Sequence, residues 1–149
     1  MNIFVLDRDI ETCAQYHCDK HVVKMTLETA QILSTILGGP YKPTHANHPC
    51  TKWARETEGN LVWLWRLGNA LGEEYYHRYG KIHKSHQVIA GLQLSSKFCD
   101  VRTMNMTPFA QAMPDNYKGR DAVQAYRDYY RGEKSDIATY KNRQKPYWL

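Results

Sequence analysis

Residues 18–40 read CDKHVVKMTLETAQILSTILGGP, and this stretch decides the fold class. Val22, Val23, Thr26, Ala30, Leu33 and Leu37 recur at helical spacing and fall on one side of a helix running from about Cys18 to Leu37. Gly38-Gly39-Pro40 ends it, because glycine accepts the left-handed conformation of a helix C-terminus and proline cannot continue the ladder. His17, His21, Lys24, Glu28 and Gln31 follow one another at i+4, i+3, i+4 and i+3, which an uninterrupted helix brings onto one face opposite the apolar side.

Working outward, residues 2–6 form a short extended segment, and Asp7 or Asp9 caps a helix through Ala14. The polar stretch from Pro40 to Thr57 holds a short helix started at Pro49, with Asn47 or His48 before it. From Asn60 to about Tyr79, Leu61, Leu64, Trp65, Gly68, Leu71 and Tyr75 keep a helical period, and Trp63, Leu67 and Ala70 widen it into the most buried helix. A further helix covers His83 to Cys99 with Val88, Ile89, Leu92 and Leu94 inward. Asp100 to Arg120, carrying Pro108, Pro114 and Gly119, is an ordered loop; Asp121 to Arg131 is the last helix, before an aromatic and basic tail. The expected architecture is mainly α: a compact single-domain helical bundle over residues 1–149, with long ordered loops and at most a short N-terminal strand.

The composition, 42% hydrophobic and 23% charged with a mean hydropathy of −0.66, is globular and excludes a membrane span. The apolar run Ile3-Phe4-Val5-Leu6 is too short for an export signal. Cys13, Cys18, Cys50 and Cys99 are therefore expected to stay reduced. The net charge of +5 is unevenly placed. Residues 1–74 carry 7 Lys+Arg against 9 Asp+Glu, whereas residues 75–149 carry 13 against 6, or +7. A basic C-terminal half suits a polyanion, although a merely solvated basic face reads the same way.

Three clusters carry chemistry. The His17 to Gln31 stripe offers a proton acceptor, an amine and a carboxylate; its plain alternative is a solvated face with a Lys24–Glu28 pair. His17 and His21, with His45, His48 and Cys50 from the following loop, could hold zinc, or could be buried polar groups bonded to one another. Arg78, Lys81 and Lys84 interleaved with Tyr76 and Tyr79, and Lys141, Arg143 and Lys145 near Tyr147 and Trp148, mix cations for phosphates with rings for bases. In the tail, Tyr147 and Trp148 also suit plugging the core.

The start Met1-Asn2-Ile3-Phe4, the charged helix from His17 to Glu28, the His48-Pro49 step before a helix from Gly59 to Tyr79, and the ending Arg143-Gln144-Lys145-Pro146-Tyr147-Trp148 together resemble the bacteriophage pyrimidine-dimer DNA glycosylase (endonuclease V) family. The resemblance implies a helical monomer that binds double-stranded DNA, flips a base out, cleaves the glycosidic bond through an imine to an amine, and nicks the abasic site. It makes Glu28 the carboxylate, His21 a helper, and Arg78, Lys81 and Lys84 phosphate contacts. It also implies a cytoplasmic location in an infected bacterial host. The sequence departs from the family at two points. Asn2 is too large for efficient removal of Met1, which leaves the Met1 amine or a lysine such as Lys20 or Lys24 as nucleophile. Val23 and Lys24 stand where the family carries an arginine-glutamate pair.

The leading expectation is thus a small DNA glycosylase with abasic-site lyase activity and no cofactor. One alternative is a zinc-dependent nuclease or nucleotide-modifying enzyme using His17, His21, His45, His48 and Cys50. The other is a non-enzymatic phage module that binds nucleic acid or a host protein.

Overall fold

Asp9 accepts the Thr12 N–H at 3.0 Å and starts α1 (Ile10–Tyr16). His17 and Cys18 are extended (ψ 133° and 163°), so the backbone breaks before α2 (Asp19–Leu37). This corrects the uninterrupted stripe: His17 lies on no helix face but is sealed in the core, its Nδ1 2.7 Å from the Cys13 carbonyl. The computed structural model describes residues 1–94 and 105–149.

α2 ends as expected, with Gly38 at φ 72° and the N–H groups of Gly38 and Gly39 both donating to the Ser34 carbonyl. Its buried surface is wider than one apolar stripe. Met25 and Ile32 join Val22, Ala30 and Leu33 inside, His21 and Glu28 are buried too, and Val23, expected inside, is 41% exposed. The cause is a second covering element. Residues 2–6 are all buried and run over the polar side of α2 as an extended arm.

No strand partner satisfies that arm among the described residues, so side chains take the place of a ladder. The Asn2 N–H donates to Glu28 Oε2 at 2.8 Å, the Ile3 and Phe4 N–H groups donate to Asn2 Oδ1, and Arg127 Nε donates to the Leu6 carbonyl at 2.8 Å. Phe4 sits at φ 40°, a conformation rare outside glycine and a sign that its surroundings determine it.

His48 caps α3 (Pro49–Glu56) by accepting the Cys50 N–H on Nδ1, and Thr57 caps α4 (Glu58–Tyr79) through the Asn60 N–H. α4 is the central helix, packing on α1, α2, α3 and α5 (Lys84–Gly91). A Cβ at Gly68 would lie 2.6 Å from Thr29 Cγ2 and 2.9 Å from Ile89 Cδ1, so this glycine lets α2, α4 and α5 meet. α5 ends at Gly91, because Leu92 turns extended (ψ 129°), so Leu92 and Leu94 do not continue the helix expected as far as Cys99; residues 95–99 of that expectation, and the start of the following loop, lie outside the described residues.

From Asn105 the chain wraps the bundle with one short 3₁₀ turn, Asp115–Tyr117, and enters α6 (Ala122–Tyr129) at the Asp121 cap. α6 does not stop cleanly. It widens into a π turn, Tyr130–Lys134, then a 3₁₀ turn, Ser135–Ile137. Among the described residues the fold is a mainly α helical bundle, and no helix is long and apolar enough to cross a membrane.

Candidate active site

The N-terminal arm, the polar side of α2, the start of α3 and the segment from Gln111 to Lys134 enclose an open cavity of ≈ 470 Å³. Met1, Lys24, Glu28 and His21 lie on one wall with His48 at its edge; Gln111, Lys118, Tyr129 and Lys134 form the other.

Glu28 organises the first wall. Its side chain is 9% exposed; Oε2 holds the Asn2 N–H at 2.8 Å, while Oε1 is 3.7 Å from the Met1 amine and 3.9 Å from Lys24 Nζ. The two amines differ in how they are held. The Met1 side chain is only 2% exposed although the residue is partly open, so its accessible surface lies on the main chain that bears the amine. Lys24 reaches Glu28 with a side chain 66% exposed, so its ammonium stays largely solvated. Lys20 is exposed and lies outside the cavity lining.

An ammonium and a carboxylate this close inside a concave site can exchange a proton, and the lysines around them favour a negatively charged ligand. His48 senses the amine: burial first, then the nearby N-terminal charge, lowers its pKa.

His21 is packed rather than solvated. Its ring stacks on Phe4 (centroids 4.3 Å, 27°), and Nδ1 lies 2.6 Å from the hydroxyl of the fully buried Tyr130. Burial lowers His21 to about 3, with the charges of His17, Lys134 and Lys24 acting in the same direction.

The basic residues divide into surface groups and structural ones. Arg78, expected at phosphate, is a correction. It is fully buried, with Nε on Glu74 at 2.8 Å, Nη1 on Asp19 at 3.0 Å and Nη2 on the Gln15 carbonyl at 3.0 Å, which leaves no face for DNA. Arg143 completes the same network with two nitrogens on Glu74, and Tyr79 lies half-buried beneath Lys141 Nζ, 5.3 Å from its centroid. Lys81, Lys84, Lys141, Lys145 and Tyr76 are exposed. His83 Nε2, 3.0 Å from the Val23 carbonyl, ties the α4–α5 turn that carries Lys81 and Lys84 to α2; the Lys141 N–H on Asp19 brings the tail to the start of α2. Of the tail rings, Trp148 packs inward on Tyr16 and Tyr130, whereas Tyr147 is 84% exposed.

The five residues of the zinc alternative do not assemble. Among the described residues no three His, Cys, Asp or Glu side chains form a donor group. Cys50 is buried, with its thiol pushed up to about 12, His17 is committed to the Cys13 carbonyl, His45 to Thr44, and His48 to its helix cap.

Sequence reasoning missed Asn2, Phe4, Gln111, Lys118, Tyr129, Tyr130 and Lys134. The last five lie where no hydrophobic period signals an element, or at the junction of α6 with its π turn. Asn2 and Phe4 carried a signal, since a chain start of consecutive apolar residues has to be buried against something.

The Met1 amine, the Glu28 carboxylate and Lys24 thus share one cavity of the helical bundle with Lys118 and Lys134. The family model described as pyrimidine dimer DNA glycosylase matches residues 1–88, and the chain belongs to that family. The matched residues contain the whole first wall of the cavity; the second wall comes from the remainder of the chain. No curated protein and no solved structure matches the chain.

Proposed function

We propose that this protein excises a base from double-stranded DNA through an imine at the Met1 amine, with Glu28 carrying protons, and then cleaves the abasic strand. The observation that carries the proposal is the position of Glu28 between the Asn2 N–H and the Met1 amine on the wall of an open cavity. The Asn2 bond fixes the carboxylate and leaves Oε1 for the amine.

The amine gives a proton to Glu28 and attacks C1′ of the damaged nucleotide. The N–C1′ bond forms as the bond from C1′ to the base breaks, and the base leaves with that electron pair and takes up a proton. The new ammonium nitrogen loses a proton, which through water meets the one the base takes up; its freed lone pair then forms the C=N bond of the protonated imine as the C1′–O4′ bond opens and Glu28 returns its proton to O4′. Removal of a C2′ proton then expels the 3′-phosphate by elimination. Lys24, Lys118 and Lys134 bind the flanking phosphates, and Lys81, Lys84, Lys141 and Lys145 extend that surface; the protein acts as a monomer without a metal.

Borohydride reduces an imine to a stable amine, so incubating the protein with abasic duplex DNA and borohydride tests the reading. A covalent protein–DNA adduct is expected. Its absence under conditions where the DNA is bound would remove the mechanism.

A further inference from the structure

We infer that His21 contacts the base to be excised, donating a hydrogen bond from Nε2–H to a pyrimidine carbonyl oxygen, and that the buried Tyr130 hydroxyl holds His21 in the tautomer able to do so. The inference rests on the glycosylase reading above and assigns it a residue that senses the base.

The tautomer follows from the hydrogen bonds. Burial lowers the His21 pKa and raises that of Tyr130, so both groups are neutral in the working range. Between a neutral phenol and a neutral imidazole the phenol is the stronger acid, so at 2.6 Å the Tyr130 O–H donates to Nδ1. The Tyr130 oxygen in turn accepts the Cys18 N–H at 3.3 Å. The reverse arrangement would turn the hydroxyl proton to Cys18 Sγ at 3.7 Å, a weaker partner. With Nδ1 accepting, the ring's own proton sits on Nε2. That nitrogen has no partner among the described residues, and it is not sealed in as Nε2 of His17 is, while the residue lines the cavity.

The position suits a base more than a phosphate. Phe4 stacks on the His21 ring and, with Tyr129, lines the same cavity, so the donor stands among aromatic rings. Phosphates have Lys24, Lys118 and Lys134. A neutral imidazole is not a useful acid but is a fixed dipole. When the glycosidic bond breaks, the electron pair left on the pyrimidine nitrogen spreads to the adjacent carbonyl oxygen, and a preset donor there stabilises the departing base more than the bound one. Tyr130 touches no substrate in this scheme; it is a positioning residue. It also lies outside the residues that match the family model, so this device is built from the second part of the chain.

The test compares wild type with His21→Phe, His21→Gln and Tyr130→Phe in two assays on duplex oligonucleotides. One measures single-turnover excision from a site containing a pyrimidine dimer; the other measures borohydride trapping on a preformed abasic site, where no base remains to leave. His21→Phe keeps a ring against Phe4 but has no donor, and its excision is expected to fall about 100-fold, at least ten times more than its trapping. His21→Gln, which puts an amide N–H near the place of Nε2–H, restores most of the loss. Tyr130→Phe lowers the excision rate constant with little change in substrate affinity. Excision at the wild-type rate by His21→Phe, or excision and trapping lost in equal proportion in all three variants, overturns the assignment. A wild-type protein that binds the DNA yet neither excises nor traps overturns the glycosylase reading and this inference with it, a result distinct from the other two.

Discussion

Asn2 and Glu28, twenty-six positions apart, are joined by a buried hydrogen bond of 2.8 Å from the Asn2 main-chain N–H to Oε2. The bond does two things. It pins the extended arm to α2, and it aims the other carboxylate oxygen at the Met1 amine, 3.7 Å away.

Glu28→Gln separates those roles, because the amide oxygen can still accept the Asn2 N–H while the side chain can no longer carry a proton. The variant is expected to keep its melting temperature within a few degrees and to lose about 100-fold or more of its excision rate. Thermal melting and single-turnover kinetics on one preparation check both.

Arg78→Met tests the reassignment of Arg78. Its loss leaves the buried Glu74 with Arg143 alone and Asp19 short of a partner, at a cost of about 3 kcal/mol and a drop on the order of 10 °C in melting temperature. The salt dependence of DNA binding by the folded variant should equal that of wild type. An unchanged melting temperature with weaker DNA binding would return Arg78 to the DNA surface.

The helices were legible because their signals are local. Asp9, His48, Thr57 and His83 each sit at a cap, Gly38 and Gly80 close α2 and α4, and the period from Asn60 to Tyr79 finds the central helix. The Lys24–Glu28 pairing, the placement of Met1 and the prominence of His21 were legible as a stripe and a chain start. Long-range pairing was not. Nothing local shows that Arg78 meets Asp19 across 59 positions, that an extended arm covers the polar side of α2, or that Tyr130 reaches His21. A polar stripe looks the same whether water or a second element lies over it.

Acidification should weaken the fold through the buried histidines. Burial holds His17 at about 4 and His21 at about 3, both below the unfolded value of about 6.5, so the unfolded chain binds more protons between those limits. Their contribution is complete above about pH 6.5 and is lost as pH falls through the window, at up to about 1.4 kcal/mol per pH unit for each group. Glu74 acts lower down. Burial raises its pKa, but hydrogen bonds from Arg143 and Arg78 outweigh this and hold it below the usual carboxylate value, so its contribution is lost only below about pH 4.5. Denaturant midpoints from pH 7.5 to 5 should fall in wild type and fall less steeply in His17→Gln; parallel slopes would remove the histidine explanation.

Lys118 and Lys134 belong to the second wall and are expected to meet phosphates. Replacing either with alanine should weaken binding to abasic and undamaged duplexes alike, and should reduce the slope of log K against log salt by about 0.9 for each phosphate no longer neutralised. Fluorescence anisotropy at several salt concentrations measures it. Weakening confined to damaged DNA with the slope unchanged would place these lysines on the lesion itself.

The reacting nitrogen proposed for this protein is the Met1 amine. Mass spectrometry of the borohydride-reduced adduct, after proteolysis, locates the attached sugar directly. The modification is expected on the α-nitrogen of Met1, with no adduct from a chain carrying extra residues before Met1. Attachment to Lys24, or undiminished trapping by the extended chain, would contradict it.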